Sequence, residues 1–410
     1  MTKTNILKMK STFSLIAIVF LSVFNSINAQ DISDTSFGKG MINFVAKDSS
    51  FSLKFAPRFQ MRSITSWDYV SDQYGSANHN LLIRRARLKF DGFAYSPKLK
   101  YKLQLGLSNR DIAGANDYNR NSPRYILDAV IMWNFAKDWE LWAGQTKLPG
   151  NLDQLVSSGN MQFVERSLLN SRFNLGRDMG IQLHHKTKLG DTFLMREKVA
   201  ISQGEGRNVT SGNEGGLQYT GRLEFLPMGE FKSKGEYFQS DLKREEQPKL
   251  MLAFTYNYNQ DAVRTQNSAG SYMIRTDGSL YETDITSIFA DAMFKYKGFS
   301  FMGEYVKRTA ANPMAREANG ISPTGDVVLI GDAINFQAGY LFINNYEVAL
   351  RFTDVNHDDI TYLLPTTEYT LGVNKFIVGH KLKVQSDLSY RTLDGNDDNI
   401  SFRLGFDIHF

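Results

Sequence analysis

Two stretches near the start of the chain carry basic side chains two or four residues apart. Arginine offers a planar pair of N–H donors to the oxygens of an anion, and lysine offers a compact positive charge. A row of such groups on one side of an extended segment supplies successive weak sites for a mobile anion. The six basic residues of these rows are Lys54, Arg58, Arg62, Arg85, Arg87 and Lys89.

Both rows lie in segments whose apolar residues recur with a period of two. In FSLKFAPRFQMR every second residue from Phe51 to Met61 is apolar or proline, and the residues between are mostly polar. The last twelve residues, NISFRLGFDIHF, alternate in the same way and stop at Phe410. This period is typical of a β-strand with one apolar face and one wet face.

The same period predicts sixteen strands in all. Long connections, such as 110–123 and 148–176, alternate with short ones, such as 136–138 and 297–298, as in a membrane barrel with short periplasmic turns and long external loops. Residues 228–248 break this rule, because they form a long charged connection where a short turn is expected. The predicted strands are 51–64, 80–94, 100–109, 124–135, 139–147, 177–187, 192–203, 217–227, 249–259, 281–296, 299–309, 333–342, 345–355, 366–376, 381–391 and 399–410.

The first 29 residues have the pattern of a secretory signal peptide. A basic start precedes the apolar stretch STFSLIAIVFLSVF, and Ala29 offers a small residue for cleavage. We therefore expect a signal peptide at 1–29, a short periplasmic segment at 30–49 and a transmembrane barrel domain at 50–410. Removing the signal leaves 44 of the 47 basic residues against 43 acidic ones, so overall charge predicts no anionic partner.

A soluble β-sandwich is the alternative to a barrel, since its second sheet would also cover an apolar face. The signal peptide, the strand number, the alternation of loop lengths and aromatic residues near strand ends favour the barrel. In a barrel, closure pairs every backbone group, which lipid requires. The prediction is an all-β, transmembrane, sixteen-stranded antiparallel up-and-down β-barrel.

Several blocks of the sequence resemble the phosphate-selective porin O and P family. They include LLIRRARLKFDGF, LWAGQTKLPGNLD, FVERSLLNSRFNLGRDMGIQL and LQYTGRLEFLP, and the resemblance runs from about residue 38 to residue 410. It implies an outer-membrane porin of a Gram-negative-type cell, a homotrimer, and a long third loop folded into the lumen. The terminal Phe410 resembles the signal that the outer-membrane barrel assembly machinery reads.

Sixteen strands would leave a water-filled lumen, whose charges select the ions that pass. The first two strands point their basic rows inward with Asp91 as the one inward acid, and Arg222 joins them from a later strand. If the loop 148–176 enters the lumen, Arg166 and Arg172 are candidate constriction residues; an external lid remains the alternative. Inward charges can instead pair and hold the wall together, as the spacing of Glu304 with Arg308 and of Glu347 with Arg351 indicates.

The sequence therefore predicts passive diffusion of small anions, with phosphate and polyphosphate as candidate solutes. A non-selective porin, a surface-adhesion barrel and an outer-membrane lipase stay open as alternatives. Lipid and lipopolysaccharide are the expected surroundings, and no nucleic-acid partner is expected. We find no cofactor motif, and His184 and His185 would face opposite sides of a strand, so neither a cofactor nor a metal is predicted.

Overall fold

The computed structural model describes residues 36–70, 73–112, 116, 118–210, 214–393 and 398–410. The predicted signal peptide lies outside these residues. Sixteen antiparallel strands form one closed barrel, as predicted. They are β1 (Arg58–Val70), β2 (Asn78–Ala94), β3 (Ser96–Gly106), β4 (Ile126–Ala136), β5 (Trp139–Lys147), β6 (Arg177–Lys188), β7 (Leu194–Ser202), β8 (Gln218–Leu226), β9 (Lys249–Ala262), β10 (Thr283–Tyr296), β11 (Phe299–Ala310), β12 (Gly331–Leu341), β13 (Tyr346–His357), β14 (Thr366–Val378), β15 (Leu382–Leu393) and β16 (Asn399–His409).

The barrel closes between its last and first strands. β16 pairs with β1 in an unbroken register from Asn399 opposite Asp68 to His409 opposite Arg58. The backbone N–H of Phe410 then donates to the carbonyl of Pro57. The alternating C-terminal segment is therefore one side of the seam, which explains why it keeps its period to the end of the chain.

The start of the first strand differs from the prediction of 51–64. Residues Ser52–Phe55 form a separate short strand that pairs with Ile42–Val45 on one side and with the end of β2 on the other. The strand is interrupted before Arg58, because Pro57 lacks the backbone N–H that hydrogen bonding between strands requires. The result is a small N-terminal hairpin that extends the wall beyond the barrel on the side of the short turns.

The two faces of each strand are set by the alternation. In β9, Met251, Thr255 and Asn257 are completely buried on the lumen side, whereas Phe254 and Tyr256 between them are each 47% exposed. A band of large exposed apolar side chains of this kind surrounds the barrel. Water would leave such a band unfavourably solvated, whereas lipid covers it.

Connections alternate in length from one end of the barrel to the other. Between the strands of one end the turns are short, as at Tyr95, 137–138, 189–193, 297–298, 342–345 and 379–381, with 227–248 as the exception. The other end carries 71–77, 107–125, 148–176, 203–217, 263–282, 311–330, 358–365 and 394–398. The predicted first loop 65–79 is shorter in the structure because β1 continues to Val70 and β2 begins at Asn78.

The connections contain short helices and strands. No helix among the described residues is long and apolar enough to cross a membrane. The remaining helices and strands are Asn109–Ile112, Leu152–Leu155 and Leu168–Phe173 (α-helices), Lys232–Tyr237 and Asp359–Thr361 (3₁₀ helices), and Gln73–Tyr74, Arg264–Gln266, Ala269–Tyr272, Met314–Arg316 and Pro323–Val327 (strands).

The inner loop, residues 148–176, folds into the barrel and does not form an external lid. Its apolar residues Leu169 and Phe173 pack against Phe289, Val306 and other inward side chains of β10 to β13. The hydroxyl of Ser167 accepts a hydrogen bond from the backbone N–H of Asn170 and caps the second helix of the loop. The loop therefore fills the side of the lumen next to the later strands.

The periplasmic insert, residues 228–248, also folds into the barrel, from the opposite end. Phe231 is buried in one apolar cluster with Leu152 and Val156 of the inner loop. Although the insert carries many charges, it is not fully exposed to solvent. Acidic side chains such as Glu236 and Glu245 are buried and accept hydrogen bonds. Two inserted segments thus leave an open space along β2 to β7.

Candidate functional site

A cavity of about 1330 Å³, here called the main cavity, is lined chiefly by β1 to β7, with one residue each from β14, β15 and β16. Its lining reaches Ala269 in an external loop and Asp138 in a short turn of the other end, so it extends through the barrel. The inner loop forms its second wall. A side cavity of about 700 Å³ lies between the periplasmic insert and the N-terminal hairpin. Arg87, Lys102, Gln104 and Ser157 line both cavities.

Basic side chains dominate both linings. The main cavity has seventeen lysine and arginine residues against six aspartate and glutamate residues. The side cavity has nine against two. Such an excess in a water-filled passage with low-dielectric walls raises the local concentration of anions and lowers that of cations. The basic residues of the main cavity are Arg62, Arg84, Arg85, Arg87, Lys102, Arg110, Lys147, Arg166, Arg172, Arg177, Lys186, Arg196, Lys198, Arg207, Lys234, Arg391 and Arg403.

Three arginines of the first two strands surround one carboxylate of the inner loop. Arg62 lies 2.6 Å and Arg84 2.5 Å from Glu165 Oε1, and Arg85 lies 3.7 Å from Glu165 Oε2. Burial would raise the pKa of Glu165, but the charges of Arg85 and Arg84 outweigh burial and hold this pKa well below its usual range. One negative charge among three positive ones anchors the loop and leaves the wall positive.

Arg84 was not among the residues predicted to face the lumen. The register of β1 against β2 shifts so that Gln60 pairs with Arg85 and Met61 with Ile83. Arg84 is the extra residue of a β-bulge, which turns it inward beside Arg85. Strict alternation places two adjacent arginines on opposite faces, so the period alone could not find this residue.

Arg87 occupies the junction of the two cavities, as an inward residue of β2. Its guanidinium bonds to Asp111 of the second external loop at 2.8 Å and to Ser158 of the inner loop at 3.0 Å. Lys102, the next basic residue along the wall, lies 3.1 Å from Asp128. A passing ion meets Arg87 from either cavity, because this residue borders both.

The predicted residues nearest the periplasm line the side cavity. Lys54 belongs to the N-terminal hairpin and not to a barrel strand, while Lys89 lies 2.7 Å from Asp91. Arg58 forms a two-pronged ion pair with Asp407 of β16 and donates to Ser158 at 2.6 Å. Arg58 therefore ties the barrel seam to the inner loop, in addition to its place in the lining.

The inner loop carries the two predicted constriction residues on the main cavity. Arg166 lies 3.2 Å from Asp153 and donates to the carbonyl of Val156, so it also holds the loop in shape. Arg172 is exposed in the second helix and lines the main cavity. Burial lowers the pKa of the Arg166 guanidinium from the usual arginine range.

Arg222, a predicted residue of the ion path, is enclosed by other parts of the protein. It is 1% exposed, lines neither cavity, and bonds to Glu224, to Asp291 and to the carbonyl of Gly150. Because the inner loop begins on this part of the wall, Arg222 lies behind the loop. Its inward direction follows the alternation, and its bonds are to the barrel wall and the inner loop.

The ion pairs suggested by spacing along single strands do not form. Glu304 accepts hydrogen bonds from the start of the inner loop, and Arg308 donates to carbonyls near its end. Arg351 lies 3.3 Å from Glu368 of the neighbouring strand and not beside Glu347. These later strands use their charges to bind the inner loop, which explains why the cation excess concentrates on the opposite wall.

Other lining cations come from positions that alternation does not single out. Arg110 belongs to a four-residue helix, Arg177 pairs with Asp128 at the start of β6, and Arg207 donates to main-chain carbonyls. Lys147 binds three carbonyls of the inner loop and has the nearest oxygen at 2.5 Å. Within the described chain no group of His, Cys, Asp and Glu residues is arranged to hold a metal ion.

A closed sixteen-stranded barrel with a lumen narrowed by one inner loop and a basic wall fits the resemblance seen in the sequence. The model of the phosphate-selective porin O and P family matches residues 59–401. The chain belongs to this family. Membership and the barrel fold together place the protein in the outer membrane as a channel-forming porin. The sequence matches no curated protein.

Solved porins share the fold at low sequence identity. The anion-selective porin from Comamonas acidovorans aligns with a TM-score of 0.56 at 12% identity, over 88% of this chain and all of that one. The trimer form of OmpT from Vibrio cholerae gives 0.50 at 12% identity, over 88% and 100%. The outer-membrane channel DcaP of Acinetobacter baumannii gives 0.51 at 11%, over 89% and 99%.

Proposed function

We propose that this porin conducts small inorganic anions by passive diffusion and that phosphate is among them. The observation that carries the proposal is the excess of basic side chains along the main cavity, seventeen against six. Anion selectivity in the porin of Comamonas acidovorans and the name of the family agree with this assignment. We infer roles in the ion path for Lys54, Arg58, Arg62, Arg85, Arg87, Lys89, Arg166 and Arg172, together with Arg84.

The physical basis is the replacement of water by fixed donors. A hydrated anion entering the lumen meets Arg172 near the external end, then the arginine cluster around Glu165, and then Arg87 and Lys102. Many guanidinium groups already donate to a carboxylate or a carbonyl, so each offers only part of its donors to a solute. Several weak sites in series permit conduction, whereas one deep site would trap the ion.

The decisive measurement is the reversal potential of the purified porin in a planar bilayer under a salt gradient. With potassium chloride, we expect the reversal potential to have the sign of an anion-selective channel. We also expect added phosphate to block the chloride current. A potential of the cation-selective sign would overturn the proposal. Zero selectivity would favour a non-selective porin, and a chloride current that ignores phosphate would remove phosphate from the proposal.

The alternative functions are also open to test. We propose that the protein is a channel and not an enzyme, and absence of ester hydrolysis by the refolded protein would remove the lipase alternative. Adhesion through the external loops would be supported if loop deletion abolished surface binding and left conductance unchanged.

We further propose the organisation expected from the sequence, with a signal peptide at 1–29, a periplasmic segment at 30–49 and a barrel domain at 50–410. The mature chain would be folded by the outer-membrane assembly machinery and would sit among lipid and lipopolysaccharide. A homotrimer is supported by the trimer form of the Vibrio cholerae protein. The N-terminal sequence of the mature protein and its mass in detergent test these points.

A further inference from the structure

The periplasmic insert is much longer than any other connection at its end of the barrel. It spans 228–248, whereas the neighbouring turns have from one to five residues. Two successive non-glycine residues, Ser233 and Lys234, have left-handed backbone angles with φ of 56° and 57°. Such angles are unfavourable for residues with a side chain and persist only where the surroundings hold them. The insert therefore has one specified conformation within the lumen.

Gln239 joins the insert to the inner loop through hydrogen bonds. Its side-chain carbonyl accepts from the backbone N–H of Gln162 at 2.8 Å, and its amide donates to Asp153 at 2.9 Å. Its own backbone N–H donates to the carbonyl of Asn160 at 3.0 Å. One buried side chain thus bridges both ends of the stretch 153–162, which a flexible loop would otherwise leave free to open.

Neighbouring contacts fix Gln239 in turn. Ser240 donates to Glu347 of β13 at 3.0 Å, and Gln162 of the inner loop donates to the other oxygen of Glu347 at 2.8 Å. Lys295 of β10 donates to the carbonyl of Ser240 at 2.8 Å. The insert and the inner loop are therefore attached to the same wall residue, and a shift of one is transmitted to the other.

The stretch that Gln239 bridges contains the two serines that face the basic wall. Ser157 lines both cavities, and Ser158 accepts hydrogen bonds from Arg58 and Arg87. We propose that the periplasmic insert is a second constriction element, which acts through Gln239 as a positioning residue for Ser157 and Ser158. This proposal rests on the proposed function, since it concerns the path that the ions take.

The test uses the full porin and two matched substitutions in the insert. Gln239→Ala removes the bridge, whereas Gln247→Ala changes an exposed glutamine of the same segment. A spin label on the single cysteine of Ser157→Cys reports the motion of the stretch, because the natural chain has no cysteine. We expect Gln239→Ala to increase label mobility and open-channel current noise, with the sign of the reversal potential unchanged, and Gln247→Ala to change neither.

A rescue experiment separates positioning from folding. A backbone hydrogen bond joins Gln239 to Asn160, so a disulfide between these two positions would replace the bridge by a covalent link. In the variant Asn160→Cys/Gln239→Cys, oxidation should lower the open-channel current noise to the wild-type level, and reduction should raise it again. Equal label mobility in the two alanine variants would overturn the proposal. A silent or cation-selective wild type would defeat the proposed function alone, because mobility and oxidation are measured without ion flow.

Discussion

Charge reversal at Arg87 is the sharpest test of the basic wall. Arg87 borders both cavities and bonds to Asp111 and Ser158. Arg87→Glu replaces a positive charge by a negative one at the junction of the two cavities. Arg87→Gln removes the charge without adding repulsion against Asp111, so it covers the case in which the glutamate variant folds poorly.

The size of the effect follows from Coulomb's law. Two unit charges 4 Å apart interact by about 1 kcal/mol in bulk water and by about 4 kcal/mol near a protein surface. Reversing one charge changes the energy by twice the lower figure at least, about 2 kcal/mol for an ion beside residue 87. Since about 1.4 kcal/mol corresponds to a factor of ten, the local concentration of anions beside residue 87 should fall by roughly 30-fold or more.

The assay is the reversal potential in a potassium chloride gradient, at low and at high total salt. We expect a shift toward the cation value for Arg87→Glu and a shift of about half that size for Arg87→Gln. Both shifts should shrink near 1 M salt, where the Debye length falls to about 3 Å. Lys137→Glu is the matched control, because Lys137 is exposed in a short turn and lines neither cavity. Equal potentials for the two glutamate variants would refute the placement of Arg87 in the ion path.

Four further outcomes are expected. Glu165→Gln should strengthen the anion preference and lower the free energy of unfolding. The loss should be smaller than the value of about 3–5 kcal/mol that is typical of a broken buried ion pair, because water enters the lumen; a gel assay of thermal unfolding measures this. Because the pKa of Glu165 is depressed, its contribution is present above the ordinary value of 4.5 and is lost only as pH falls through the lower folded value; a change in current noise centred near pH 4.5 would contradict this. Arg222→Met should lower the unfolding temperature and leave the reversal potential unchanged, and a shifted potential would argue against its structural role. Leu350→Arg, on the exposed face of β13, should cost about 2–4 kcal/mol if it lies near the bilayer midplane, as measured by folding into lipid vesicles; a neutral effect would mean that lipid does not cover this face.

The sequence predicted most of the strands and their faces, because a strand's period of two is a local property. Each residue of β9 or β16 takes its side from its immediate neighbours and from the contrast between lipid and water. The number of strands and the ends of the barrel followed from the same pattern and from loop lengths. Pro57 shows where this local pattern fails. The alternation of apolar and polar residues continues through Pro57, but the hydrogen bonding between strands is interrupted there.

Side-chain roles inside the barrel depended on contacts between distant parts of the chain. Arg84 turns inward through a register shift between β1 and β2, which needs both strands to be seen together. Arg222 follows the predicted direction but is covered by the inner loop, so direction alone does not place a residue on the ion path. The position of the inner loop and of the periplasmic insert was left open by the sequence, because their apolar residues show that they pack but not against which surface.

The amino-acid sequence by itself determined that this chain is a sixteen-stranded barrel with a wet, partly basic interior. Only the tertiary structure decided which charges meet solute and which hold the inner loop. The reason is that burial inside a lumen depends on what else enters it. Arg84 meets Glu165 and Gln239 meets Asp153 across separations of 81 and 86 positions in the chain, and no pattern along the sequence encodes their distance.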